Sequence, residues 1–245
     1  MRTSIIAAAT LAFLASAGVA IAADIPAAPI KAPPPYQRLY DWTGFYIGVN
    51  AGGGWANARS DFSIGGLAPF ASVDNSLFGA IGGGQVGMNW QSGATVFGIE
   101  ADFQASGLQG GLDAPCPPVV CAGLIASFDQ KMPWFGTVRG RLGYASDTWL
   151  IYATGGYAYA RFETDAFASA GGVAVSLSQS ETLSGWTAGG GIEVALSRNW
   201  TARVEYLYLD FGKHDRTWII TGLPPINDST KVFTNVARGA LNYRF

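Results

Sequence analysis

The sequence predicts an all-β fold: an eight-stranded antiparallel up-and-down transmembrane β-barrel. Three observations carry that prediction. From Trp42 onward, apolar residues recur at every second position, the period of a strand rather than of a helix. The connections between these stretches alternate between tight turns and long polar segments. The 245 residues are 49% hydrophobic and only 13% charged, against roughly 25% charge in a soluble domain. After residue 24, no stretch stays apolar for the ~20 residues of a helical span. A sheet that enters lipid has to close on itself, because each unpaired edge N–H or C=O costs several kcal/mol there.

Residues 1–22 read as a secretory signal peptide. Arg2 supplies the positive start, Ile5 to Val19 the apolar run, and Ala20-Ile21-Ala22 the small-residue cleavage pattern. Residues 23–41, with Pro26, Pro29 and Pro33-Pro34-Pro35, read as an extended linker. The barrel domain is assigned to 42–245.

The first segment sets Phe45, Ile47, Val49, Ala51 and Trp55 on one face and Tyr46, Gly48, Asn50 and Gly52 on the other. The second, about 77–91, alternates Phe78, Ala80, Val86, Met88 and Trp90 with Gln85, Asn89 and Gln91. In the third, Phe97, Ile99, Ala101 and Phe103 oppose Gly98, Glu100, Asp102 and Gln104. The fourth sets Trp134, Val138, Leu142 and Tyr144 against Thr137, Arg139 and Arg141. The fifth, about 148–162, is apolar on both faces, so its register stays open. In the sixth, Trp186, Ala188, Ile192, Val194 and Leu196 oppose Thr187 and Glu193. The seventh, about 199–211, sets Trp200, Ala202, Val204 and Tyr206 against Arg203 and Glu205, and the last sets Phe233, Ala237, Leu241, Tyr243 and Phe245 against Arg238, Asn242 and Arg244. Short turns are expected at 91–95, 145–148 and 197–199, and long loops near 57–76, 106–128, 163–182 and 212–231. Short periplasmic turns and long external loops are the pattern of outer-membrane barrels. A soluble barrel would expose many Lys and Glu, and this chain has four Lys, all outside the assigned strand cores.

Seven of the eight tryptophans (42, 55, 90, 134, 149, 186 and 200) fall near strand ends, where membrane barrels carry aromatic girdles. The chain ends on Leu241-Asn242-Tyr243-Arg244-Phe245. A terminal Phe with apolar residues at alternate positions, Leu241, Tyr243 and Phe245, resembles the signal read by the outer-membrane barrel assembly machinery. Asp41-Trp42-Thr43-Gly44-Phe45-Tyr46-Ile47-Gly48, the stretch Gly185 to Glu193, Val204-Glu205-Tyr206-Leu207-Tyr208 and the terminal Tyr243-Arg244-Phe245 together resemble the alphaproteobacterial outer-membrane immunogenic proteins (RopB-like, porin-family barrels). The resemblance covers 42–245 and implies a small outer-membrane barrel with no catalytic residues to carry over.

The faces opposite the apolar one hold Glu100, Asp102, Glu193 and Glu205 with Arg139, Arg141, Arg203 and Arg238. An eight-stranded barrel is only wide enough for side chains inside, and unpaired charge there costs several kcal/mol per ion. A salt-bridge network filling the lumen is therefore expected. Strand neighbours suggest Glu100 and Asp102 against Arg139 and Arg141, and Glu193 against Arg203. Cys116 and Cys121 are the only cysteines, and an oxidising compartment favours a disulfide between them. Gly82-x-Gly84-x-x-Gly87 matches a dinucleotide pattern but lies inside a strand with no helix to follow. His214, the only histidine, has no adjoining nucleophile motif and reads as a loop residue.

A net charge of −2 leaves no basic patch for nucleic acid. No cofactor or metal site is expected. The partners implied are outer-membrane lipid, lipopolysaccharide and, during biogenesis, the assembly machinery. The functional reading is a structural outer-membrane protein that supports envelope integrity and displays its loops. The alternatives are a small-solute porin, or ligand or adhesion binding through external loops, where Phe62, Phe70, Phe128, Phe167, Trp218 and Ile219-Ile220 lie.

Overall fold

A computed structural model describes residues 40–64, 71–115, 125–170, 173–218 and 226–245. Their alternating pattern is spent on eight strands: β1 (Gly44–Ile64), β2 (Ala71–Ser92), β3 (Thr95–Pro115), β4 (Ile125–Ser146), β5 (Trp149–Ala170), β6 (Val173–Ala195), β7 (Trp200–Trp218) and β8 (Ile226–Arg244). Each pairs antiparallel with the next, and β8 closes on β1. The signal peptide, most of the linker and the Cys116/Cys121 pair lie outside the described residues.

At one end the strands are joined by tight turns. Ser92 pairs with Thr95 and Ser146 with Trp149, so two residues make each turn. Each turn needs a positive φ, supplied by Gly93 (62°) and Asp147 (49°). At the other end the strands run much further than the sequence suggests. The four segments expected as long loops are mostly strand, with Arg59 paired to Asp74, Lys131 to Glu163, Asp165 to Ser178 and Asp215 to Ser229. Their polarity marks where the wall leaves the apolar zone. An antiparallel ladder continues there because its hydrogen bonds are backbone bonds and need no apolar face.

The apolar face of every strand points outward. Phe78 and Val204 are each 71% exposed on the isolated chain, the surface that lipid covers. The fifth strand takes the register that turns Leu150, Tyr152, Thr154 and Ala158 inward, and Trp149, Ile151 and Tyr157 outward. Aromatic residues cluster at two levels of the wall. Phe45, Trp200, Tyr243 and Phe245 form contacts near the turn end, and Trp55, Tyr206, Trp186, Tyr208 and Phe233 form them higher up.

Trp42 departs from the girdle expectation. Gly44, at φ 136°, swings the chain under the barrel mouth, and Trp42 is buried at 1% exposure. Its backbone N–H donates to Gln91 Oε1 (2.6 Å), and the Tyr40 hydroxyl donates to the Arg198 carbonyl (3.0 Å). The strap 40–43 is thereby tied to the turns between β2 and β3 and between β6 and β7.

Candidate functional site: a filled lumen

Inward positions on the strands come in three levels. Nearest the tight turns, Trp42, Val96, Ala145, Leu150 and Tyr152 form an apolar floor, with Tyr40 packed against it. Above the floor, the structure brings all eight charges named above into one network, each at most 5% exposed. Four carboxylates meet four guanidiniums, so the formal charge of the layer is zero.

Arg139 is the hub. Its Nη2 lies 2.5 Å from Glu100 and 3.0 Å from Asp102, and its Nη1 lies 3.0 Å from Glu205. Its Nε donates to Thr137 Oγ1 (2.9 Å). Arg203 grips Glu100 through both terminal nitrogens, at 2.5 and 2.8 Å, the two-pronged geometry that makes Arg the natural partner of a carboxylate. Arg238 bridges Asp102 (2.9 Å) and Glu205 (2.6 Å). Arg141 pairs with Glu193 (2.7 Å) and stacks over the Tyr152 ring, 4.1 Å from its centroid.

Two of the expected pairings differ. Arg141 takes Glu193 rather than Glu100 or Asp102, and Arg203 takes Glu100 rather than its strand neighbour Glu193. The strand register alone sets Glu193 directly opposite Arg203. In a lumen this narrow a long guanidinium reaches across the axis, where its five donors find better-placed oxygens than those beside it.

Neutral side chains also donate to these carboxylates, while Asp102 Oδ1 is left without a hydrogen-bond partner among the described residues. Tyr46 donates to Glu100 (2.5 Å) and Tyr152 to Glu205 (2.8 Å). Thr137 donates to Asp102 (2.8 Å), and Thr201 (2.5 Å) and Asn242 (3.0 Å) donate to Glu193. Asn50, Gln85 and Asn242 form an amide chain. These partners are invisible as such in the sequence, although every one sits at an inward position of its strand.

The third level is the one that sequence reasoning missed. Above the charges, Leu77, Leu108, Met132, Phe135, Phe162, Leu183, Leu207, Leu209 and Phe211 fill the lumen, each at most 2% exposed. A signal for it existed in β7. Glu205 is followed inward by Leu207 and Leu209, while Tyr206 and Tyr208 occupy the outward face, so both faces turn apolar at the height where the wall leaves lipid.

The other candidates are not drawn into this centre. His214 has its Nε2 2.8 Å from the Phe211 carbonyl and its Nδ1 3.9 Å from Glu181; no serine is among these contacts. Gly82 and Gly84 lie on the outer face of β2, which leads into a turn and another strand. Leu241, Tyr243 and Phe245 lie on the β8 edge that closes against β1, where the Phe245 N–H donates to the Phe45 carbonyl (3.1 Å). Of the loop aromatics, Phe167 is exposed; the side chains of Phe62, Phe70, Phe128, Trp218, Ile219 and Ile220 are outside the described set. Among the described residues, no group of His, Cys, Asp and Glu is arranged to hold a metal ion.

Comparison with known proteins agrees with this architecture. A family model described as the outer membrane protein beta-barrel domain matches residues 7–245. The 31 kDa outer-membrane immunogenic protein of Brucella melitensis is 36% identical over 258 aligned positions that cover 100% of both chains. The 22 kDa outer membrane protein of Rhizobium leguminosarum is 33% identical over 74% of this chain and 70% of its own. Among solved structures, the outer membrane protein OprG from Pseudomonas aeruginosa matches with a TM-score of 0.52, covering 84% of this chain and 99% of its own at 12% identity, a likeness of fold.

Proposed function

The chain belongs to the outer membrane protein β-barrel family and resides in the outer membrane, and on that premise we propose that it is a sealed structural barrel that supports envelope integrity and displays its loop end outside. The observation that supports this is the filled lumen. An ion entering from either end meets an apolar layer before it reaches the charges, and the charges are already paired with one another. Moving an ion through the roof of Leu207, Leu209 and Phe211 strips its water, and the neutral side chains of Gln104 and Thr234 at that level replace only a small part of it, which costs several kcal/mol.

In this reading the tight turns face the periplasm, as is usual for such barrels. The outward Phe, Val and Trp side chains contact lipid and lipopolysaccharide. The Leu241, Tyr243 and Phe245 edge is the one the assembly machinery engages before β1 and β8 close. Immunogenicity, recorded in the names of the Brucella relatives, suits a loop end reachable from outside. The porin alternative separates cleanly. Purified barrel in a planar bilayer is expected to give no reproducible conductance steps, and steps of constant size overturn the sealed reading. Loss of the protein is expected to sensitise cells to detergent and bile salts. Unchanged sensitivity removes the envelope role.

A further inference from the structure

The outer wall is not evenly covered. One row across the strands pairs Leu241 with Val49, Val49 with Gly84 and Gly84 with Phe103, and Gly84 leaves a gap between two larger side chains. On the next row toward the turns, Val86 pairs with Ala101, whose methyl group keeps the floor low. These gaps belong to a groove of about 700 Å³ on the outer face, within the ~300–1,000 Å³ of pockets that hold one small molecule. Its lining is almost wholly apolar. Gln85 and Asp102 reach it through their main chain, since their side chains point into the lumen.

The groove has two distinct ends. At the tight-turn end it starts against Trp200 and Tyr243, whose ring centroids lie 5.2 Å apart. At the other it is stopped by Phe103 and Tyr159, each packed on Trp134 (5.6 and 6.1 Å). Tyr159 lies across Gly136 of β4, where a Cβ would meet its ring. From β8 to β4 the groove crosses strand spacings of ~4.8 Å each, about 20 Å in all. That is comparable with the depth of one leaflet's chains, about half of a ~30 Å hydrocarbon core. The strands are staggered, so the groove climbs from the turn end of β8 to well up β5.

The turn just before Trp200 carries Arg198. Its carbonyl accepts from the Tyr40 hydroxyl (3.0 Å) and from Arg244 Nη2 (3.4 Å), which fixes the turn. Its side chain is exposed, with no carboxylate at ion-pair distance among the described residues. Interfacial Trp and Tyr rings sit at the level of lipid headgroups. A guanidinium beside Trp200 is therefore at the height of lipid phosphate, which Arg binds through two N–H groups at once.

We propose that this groove holds one phospholipid of the periplasmic leaflet, with an acyl chain lying over Gly84 and Ala101 and the phosphate against Arg198. Lipid tails are as apolar as the wall, so no water is expelled when a chain enters. Retention rests instead on close packing in the groove and on the headgroup contact, and a flat wall offers neither. The inference takes from the proposed function only the orientation that sets the tight turns in the periplasm. It does not depend on the lumen being sealed.

The test titrates the full barrel in detergent micelles with palmitoyl-oleoyl phosphatidylethanolamine and counts bound lipid by native mass spectrometry. One lipid per barrel is expected to saturate ahead of any further adduct. Gly84→Leu fills the groove, and the wall accepts it, because the nearest neighbour of a Cβ there is the Gly48 carbonyl at 3.6 Å. Gly84→Leu and Ala101→Leu are each expected to weaken the first lipid about tenfold by obstructing its chain. Gly140→Leu, on the outer face of β4 with its Cβ 3.9 Å from the Gly155 carbonyl, is expected to leave it unchanged. Arg198→Gln is expected to weaken the phospholipid several-fold but not hexadecanol, which has a chain and no phosphate. Each variant is checked for folding by its gel shift on heating. A ladder of adducts with no saturating first lipid, equal binding by Gly84→Leu and Gly140→Leu, or no effect of Arg198→Gln overturns the proposal. Displacement of the phospholipid by equimolar lipopolysaccharide assigns the groove to the opposite leaflet and overturns both occupant and orientation, while an absence of conductance steps in the same preparation leaves the sealed lumen standing.

Discussion

Replacing Arg139 with Gln tests the physical account of the lumen most directly. Arg139 is 2% exposed, and its guanidinium meets three carboxylates at 2.5, 3.0 and 3.0 Å. Removing one partner of a buried ion pair costs ~3–5 kcal/mol, because the other charge is left behind in a poor medium. Here Arg203 still holds Glu100, and Arg238 still holds Asp102 and Glu205. The loss is therefore placed at the low end, about 3 kcal/mol. Adding Glu205→Gln restores equal numbers of acids and bases, so the double variant should lose less than the sum of the two single losses. The expected coupling is ~1–3 kcal/mol, the range for residues in one network. Arg139→Lys keeps the charge, but a single ammonium cannot span three carboxylates and Thr137, and it should fall between wild type and Arg139→Gln. The assay is reversible urea unfolding in lipid vesicles followed by tryptophan fluorescence. A loss under about 1 kcal/mol for Arg139→Gln, or strict additivity in the double variant, refutes a mutually dependent network.

Three further expectations use the same assay. Leu209→Ala, in the roof, should cost ~2–5 kcal/mol because a cavity opens in packed surroundings; Val204→Ala, on the outer wall, should cost less, since lipid fills the space. A larger loss at Val204 contradicts the assigned faces. Trp42→Ala should cost ~3–5 kcal/mol and still give no conductance steps, because the roof remains closed. Steps appearing in that variant alone would make the strap the seal. A Cβ at Gly156 would press on the Val138 carbonyl and the Arg139 backbone, whereas one at Gly82 finds its nearest neighbour, the Asn50 carbonyl, 3.7 Å away. Gly156→Ala is thus expected to destabilise by ~1–3 kcal/mol and Gly82→Ala to change little; equal effects would show the glycines are not placed for close approach.

Much of this molecule is set by the order of residues alone. The two-residue period fixes which side chains share a face, and scarce charge beside plentiful aromatics says that one face meets lipid. That is why Glu100, Asp102, Arg139, Arg141, Glu193, Arg203, Glu205 and Arg238 are recognisable as inward residues without coordinates. Three things needed the tertiary structure. The partners of Arg141 and Arg203 depend on reach across the lumen, and a strand pattern specifies neighbours along the wall and not contacts across the axis. The roof depends on height: β7 turns apolar on both faces at Leu207 and Leu209, but only the stagger of eight strands brings them level with Leu77, Phe135 and Phe162. The extent of the strands depends on pairing, because Arg59, Asp74 and Lys131 have no apolar period to betray them, and only a neighbouring backbone makes them strand. Periodicity is a local property read along one chain segment; closure, stagger and reach across the axis arise only when eight such segments are set side by side.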